Sequence, residues 1–115
     1  MSMDRKLLGR YGEKLAADLL VKKGYTIVAS GYRGRFGEID LIARKGSLIA
    51  FVEVKTRQSN DYLSAGAAVG AAKQQRLLDT ADRWLAENPG DWQQRFDVIE
   101  VYVRDRKIRH IENAF

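Results

Sequence analysis

The chain has 115 residues, 45% hydrophobic and 30% charged, with no cysteine, a single histidine (His110) and a formal net charge of +5. That length holds one domain, residues 1–115, with a core large enough for one sheet and its covering helices, and the balanced composition argues against disorder. The absence of cysteine removes disulfide frameworks and thiolate metal sites, and one histidine excludes the His-pair zinc hydrolases.

Leu7, Leu8, Tyr11, Leu15, Ala16, Leu19 and Leu20 recur at helical spacing. They predict an amphipathic helix over 4–23, capped by Asp4, stopped at Gly24, and carrying Asp18 and Lys22 as an outer pair. Residues 25–29 read as a strand, and 30–37, with three glycines and two arginines, as a turn-rich basic connection. Two strands, 37–44 and 47–55, join at Lys45-Gly46. Residues 56–64 read as polar loop. A helix over 65–88, divided near Gly70, places Leu77, Leu78, Ala81, Trp84 and Leu85 on one face and closes at Pro89-Gly90. Strands at 95–104 and 108–111 follow, turning at Arg106-Lys107. The order α-β-β-β-α-β-β describes an α/β fold, a mixed sheet flanked by helices.

Charge is uneven along this order. Residues 1–60 carry twelve basic and six acidic side chains, whereas 61–115 carry eight and nine. Arg outnumbers Lys twelve to eight, and the guanidinium fork suits phosphate oxygens. A basic first half points to a polyanion partner, with nucleic acid the leading class. The first residues have no apolar segment behind them, and the run 48–52 is far too short for a bilayer. The expectation is a cytoplasmic protein with no membrane partner.

The second hairpin carries the chemistry. A symmetric turn at Lys45-Gly46 sets Asp40 opposite Phe51 and Glu38 opposite Glu53. Ile39, Leu41, Ala43, Leu48, Ala50, Val52 and Val54 then share one apolar face. The other face is apolar near the turn and ionic at its far end, where Asp40 and Glu53 become diagonal neighbours and Lys55 points the same way as Glu53. Adjacent carboxylates raise one another's pKa and favour a divalent cation between them; oxygen donors suit Mg²⁺ or Mn²⁺. A lysine beside such a site can orient a water or stabilise a crowded phosphate. A bare Glu-x-Lys on a strand is ordinarily an exposed ion pair; the upstream Gly37-Glu38-Ile39-Asp40 shifts the balance toward a site.

Asp40 with Glu53-Val54-Lys55 resembles the PD-(D/E)xK nuclease signature, with Ile39 in place of the proline. More closely, the chain is similar to the YraN-like family of bacterial proteins, relatives of Holliday-junction resolvases. The likeness runs through Gly12-Glu13, Ala16, Ala17, Leu20 and Gly24-Tyr25, then Ala68-Val69, Lys73 and Arg95-Phe96-Asp97-Val98. It implies a restriction-endonuclease-like core and a metal-dependent endonuclease acting on nucleic acid, with DNA, including branched DNA, the expected substrate. A first-helix glutamate joins the metal site in resolvase relatives, and Glu13 matches it. The implied site is therefore Glu13, Asp40 and Glu53 as metal ligands, with Lys55 as the fourth catalytic residue. The family usually has Asn where Gly31 precedes Tyr32-Arg33; both tolerate a left-handed backbone, so the local bend should survive.

Arg33, Arg35 and Arg57 flank the motif and are the expected phosphate contacts, with Lys73 behind them. Asp97 reads as a strand-capping or salt-bridging residue and His110 as a surface one; Trp92 reads as packing or interface. A junction resolvase would be a homodimer. The rival reading is a non-catalytic nucleic-acid-binding or protein-interaction module on a nuclease fold.

Overall fold

The computed structural model describes residues 4–58 and 69–115. Helix α1 (Arg5–Lys22) starts where Asp4 accepts the Leu7 N–H at 2.9 Å, as its capping position predicts. Strands β1 (Thr26–Arg33), β2 (Glu38–Lys45) and β3 (Leu48–Arg57) follow, then α2 (Ala71–Glu87), β4 (Gln93–Tyr102) and β5 (Lys107–Ile111). The order is the expected one. The expected loop at 56–64 and the helix from 65 lie partly outside the described residues; Thr56 and Arg57 belong to β3, and the described helix begins at Ala71.

The strands lie in sequence order across one five-stranded sheet. All neighbours are antiparallel except β3 and β4, which run parallel. A parallel pair needs a crossover, and α2 lies within it. β3 is the central strand, and its Ile49–Glu53 stretch is buried throughout, as expected for a strand covered on both faces. On one face Leu41, Ala43, Ala50, Val52, Ile99 and Val101 pack against Ala16 and Leu20 of α1. On the other, Ile39, Ile42, Ile49 and Phe51 pack against Leu77, Ala81 and Trp84 of α2. The sheet is thus sandwiched between its two long helices. No helix of the described residues is long and apolar enough to cross a membrane.

Three expectations along β1–β3 are corrected. β1 runs on to Arg33 instead of ending at Ala29, because the Gly31 region pairs with β2 (Ser30 with Leu41, Tyr32 with Ile39) past an irregularity between Ile27 and Ala29. Gly31 takes φ 60°, the left-handed backbone that glycine and asparagine tolerate. The β2–β3 register is shifted by two residues, pairing Lys45 with Leu48 and Ile42 with Phe51. Gly46, at φ 62°, takes the first loop position, where positive φ is needed. Ile39 also leaves the α1 face for the α2 face, because β2 stops pairing with β3 at Leu41 and the alternation breaks there.

α1 lies very close to β3. A methyl group on Gly12 would stand 1.8 Å from Thr56 Oγ1. Gly12→Ala is expected to cost about 1–3 kcal/mol through overpacking, read as a lower urea midpoint, with Thr56→Ala in the same chain recovering part of the loss.

The other end of α1 is held by a polar network. Lys23 donates to His110 Nδ1 at 2.8 Å, and His110 Nε2 donates to Asp97 Oδ2 at 2.8 Å. Arg95 forks onto both Asp97 oxygens and also donates to the Tyr25 hydroxyl. Burial pushes the Asp97 carboxyl up, but hydrogen bonds from His110, Arg95 and the Asn113 N–H overcome it and hold it below its usual value. Asp97 bridges salts, as expected. His110 is not a surface residue: its side chain is only 2% exposed, because β5 folds it under Lys23. Trp92 is packing: its ring lies tilted against Trp84 with centroids 6.2 Å apart, and it donates to the Asn88 carbonyl at 2.8 Å.

Candidate active site

Continuing the β2–β3 register past Leu41 and Val52 would set Asp40 opposite Glu53. The ladder stops there instead, and Asp40 Oδ2 accepts the Val54 N–H at 2.8 Å. The strands part as a fork, while β2 stays paired to β1 at Ile39 and Glu38. The side-chain bond satisfies the β3 donor that the fork would orphan, and it brings Asp40 beside β3. Asp40 is therefore tied to β3 one residue beyond Glu53, instead of lying diagonally across a continuous ladder from it.

This environment is hostile to negative charge. Burial, then the Glu53 charge, then the Glu13 charge push the Asp40 pKa up to about 7, against the lowering effects of the Val54 N–H and Lys73. Glu13 is also raised, by burial and by the charges of Glu38 and Glu53. Its place follows from Gly12: the close approach of α1 to β3 at Thr56 carries the next residue toward the fork. The cluster thus contains a fourth acid, Glu38, which is not among the site residues expected from the sequence. A signal for it exists, since it lies two residues before Asp40 on a strand. Glu38 also pairs with Arg33 at 3.8 Å.

Glu53 is 8% exposed and is held by Lys73, from the first turn of α2, at 2.5 Å. Lys73, expected as a phosphate contact behind the site, is thus part of the carboxylate cluster. Among the described residues, no three of Asp, Glu, His or Cys are arranged to hold a metal ion as they stand. The donor chemistry nevertheless suits a hard divalent cation: the oxygens of Glu13, Asp40 and Glu53 interact electrostatically, and burial leaves their combined charge under-compensated.

Lys55 follows Glu53 by two residues on β3 and is half-buried. Burial and Arg57 lower its ammonium pKa, while Glu100 and Glu53 act in the opposite sense. Glu100 is the register partner of Lys55 on β4, fully buried and 3.2 Å from Arg109. An amine is therefore presented beside the carboxylates, backed by a buried acid.

The other expected phosphate contacts lie on β1, the β1–β2 turn and β3. Arg33 ends β1 and is exposed, and Arg35 lies in the β1–β2 turn with its guanidinium 5.4 Å from the Phe36 ring. Arg57 ends β3, with its Nε buried and without a hydrogen-bond partner among the described residues.

Residues 12–101 match the uncharacterised protein family UPF0102. A UPF0102 protein from Alkaliphilus metalliredigens is 46% identical over 96% of this chain and 98% of its own length. One from Thermodesulfovibrio yellowstonii is 44% identical over 98% of this chain and 99% of its own. A third, from Nocardia farcinica, is 50% identical over 87% of this chain and 80% of its own. The matched span contains Glu13, Glu38, Asp40, Glu53, Lys55 and Lys73.

Proposed function

We propose that this chain, which belongs to the UPF0102 (YraN-like) family, is a divalent-metal-dependent endonuclease that hydrolyses phosphodiester bonds in nucleic acid, DNA in the first instance. The observation that carries this reading is the Asp40–Glu53 pair at the fork, a half-buried and a buried carboxylate with an amine two residues beyond Glu53 on the same strand. Glu13, Asp40 and Glu53 would hold Mg²⁺ or Mn²⁺, which supplies Lewis-acid stabilisation of the charge that builds on a phosphate under attack. Lys55 orients the attacking water by hydrogen bonding and offsets negative charge on the non-bridging oxygens. The buried walls of β3 exclude bulk water and strengthen each of these interactions. Arg33, Arg35 and Arg57 contact flanking phosphates and position the strand without reading its sequence.

The test is cleavage of a panel of linear, single-stranded and branched DNA, and of the matching RNAs, with Mg²⁺ and Mn²⁺. Nicking or cutting that needs the metal supports the reading, and inertness of every substrate with both metals overturns it. Preferred cutting of four-way junctions in paired strands would carry the reading to a resolvase acting as a homodimer.

A second reading is favoured by one observation, the Lys73 ammonium already neutralising Glu53. In a pure binding module that pair is simply structural. The two readings separate on Lys73→Met. If Lys73 stands in for a cation, its loss lowers the thermal midpoint in chelator and enlarges the gain on adding Mg²⁺ relative to wild type. A binding module loses stability equally with and without Mg²⁺.

A further inference from the structure

The β1–β2 turn presents a feature that hydrolysis itself does not use. Phe36 is 60% exposed, the most exposed of the large hydrophobic residues described, and Arg35 covers its ring at 5.4 Å. An exposed aromatic of this kind ordinarily sits on a loose loop. Here the turn is braced: Gly34 N–H donates to the Gly37 carbonyl at 2.8 Å, and both glycines lie against α2. A methyl group on Gly34 would stand 3.0 Å from Thr80, and one on Gly37 3.3 Å from Arg76. Thr80 is in turn fixed by donating to the Arg76 carbonyl at 2.7 Å. The ring is thus held out in water by a seated turn, an arrangement with an apolar cost and no packing return in the free protein.

We propose that Phe36, backed by Arg35, is a stacking platform for an unpaired nucleobase within a few nucleotides of the bond that is cut, so that the substrate is a strand with an unstacked base. This rests on the nucleic-acid reading above and specifies its substrate class. Position supports it. Phe36 precedes Glu38 by two residues and Asp40 by four, a reach of at most about 14 Å of chain. A base on Phe36 therefore lies within about four nucleotides of a phosphate at the fork, at about 3.4 Å of rise each. Chemistry supports it too. Every base has a π-face, an aromatic ring with a guanidinium on one side offers the other for stacking, and Arg33 and Arg35 supply the neighbouring phosphate contacts. A fully stacked duplex offers no base to this ring.

The experiment measures binding in chelator, so it does not depend on cleavage. The probes are oligonucleotides bearing 2-aminopurine in a single strand, in a duplex with one unpaired base, and in a perfect duplex, each as DNA and as RNA. Phe36→Ala is expected to weaken the two unpaired probes about tenfold or more, the loss of one base–aromatic stack, while leaving the perfect duplex unchanged. Phe36→Trp should retain affinity and quench the 2-aminopurine. The DNA and RNA arms identify which strand chemistry the platform takes. Equal affinity of Phe36→Ala and wild type for all probes overturns the platform, as does an equal loss on all three structures. Loss of a dimer by sedimentation with probe binding intact also overturns it, assigning Phe36 to self-association. If cleavage fails in every assay while the selective loss is found, the platform stands and the catalytic reading falls; if no probe binds at all, both fall.

Discussion

Asp40→Asn is expected to abolish metal-dependent cleavage and, above pH 7, to make the protein more stable than the wild type. The two effects share one cause. Asparagine keeps an oxygen to accept the Val54 N–H, so the fork retains its geometry. It removes the charge that a cation needs, and activity falls by about 10³-fold or more. It also removes a charge the fold resists. The Asp40 carboxyl titrates at about 7 in the folded protein and near the ordinary aspartate value, about 3.9, when unfolded. A raised acid pKa means that the folded state holds its proton longer. The penalty is therefore absent below about pH 4, grows as pH rises through the interval, and is complete above pH 7. At about 1.36 kcal/mol for each pH unit between those two values, it reaches up to about 4 kcal/mol. The thermal midpoint of Asp40→Asn should exceed that of the wild type by several degrees at pH 8 in chelator and equal it at pH 4. Excess Mg²⁺ at pH 8 should close the gap, because cation and proton relieve the same crowding. A variant less stable than the wild type at pH 8 would show that Asp40 is held for structure and not for a cation.

The second large effect is expected at Lys55. Lys55→Ala is expected to lower the cleavage rate by about 10²- to 10⁴-fold while leaving metal-induced stabilisation and DNA affinity near wild type. Its amine is not one of the carboxylate donors, so the cation loses nothing by its removal. It lies beside them on the same strand, so the attacking water loses its hydrogen-bond partner. Lys55→Arg keeps charge but replaces a compact ammonium with a wider planar fork, and should recover only part of the rate. Wild-type cleavage by Lys55→Ala would sink the mechanism even if the metal site were correct.

The helix α1, its Asp4 cap and the central strand are legible in the sequence because each is written in local spacing. Asp4 lies immediately before the apolar stripe, and β3 opens on the apolar run Leu48–Val52. The hairpin register differs by two residues from that of a symmetric Lys45-Gly46 turn, yet Leu41, Ala43, Ala50 and Val52 share the expected face. A slip of two preserves the pleat, so alternation alone cannot detect it; the positive φ of Gly46 decides between the registers. His110 departs from expectation for a different reason. Its own strand is exposed on average, and only the distant Asp97 and Lys23 make a buried position tolerable.

At the site the division is similar. Asp40, Glu53 and Lys55 declare themselves along the chain because period-two alternation and one short turn place them on a common face. Glu13 is reached through likeness to a family, and the spacing of α1 gives it no distinction from the other helix acids. What brings it to the fork is the contact of Gly12 with Thr56, a packing event between residues 44 positions apart. Lys73 reaches Glu53 because the parallel β3–β4 pair requires a crossover that sets the first turn of α2 over the fork. Residue types and local periods thus settle which chemistry the chain can carry: oxygen donors, an amine and a basic surround, with no thiol and one histidine engaged elsewhere. How strongly those groups perturb one another is a matter of burial and of distances across the fold, and these arise only when α1 and α2 close on opposite faces of the sheet.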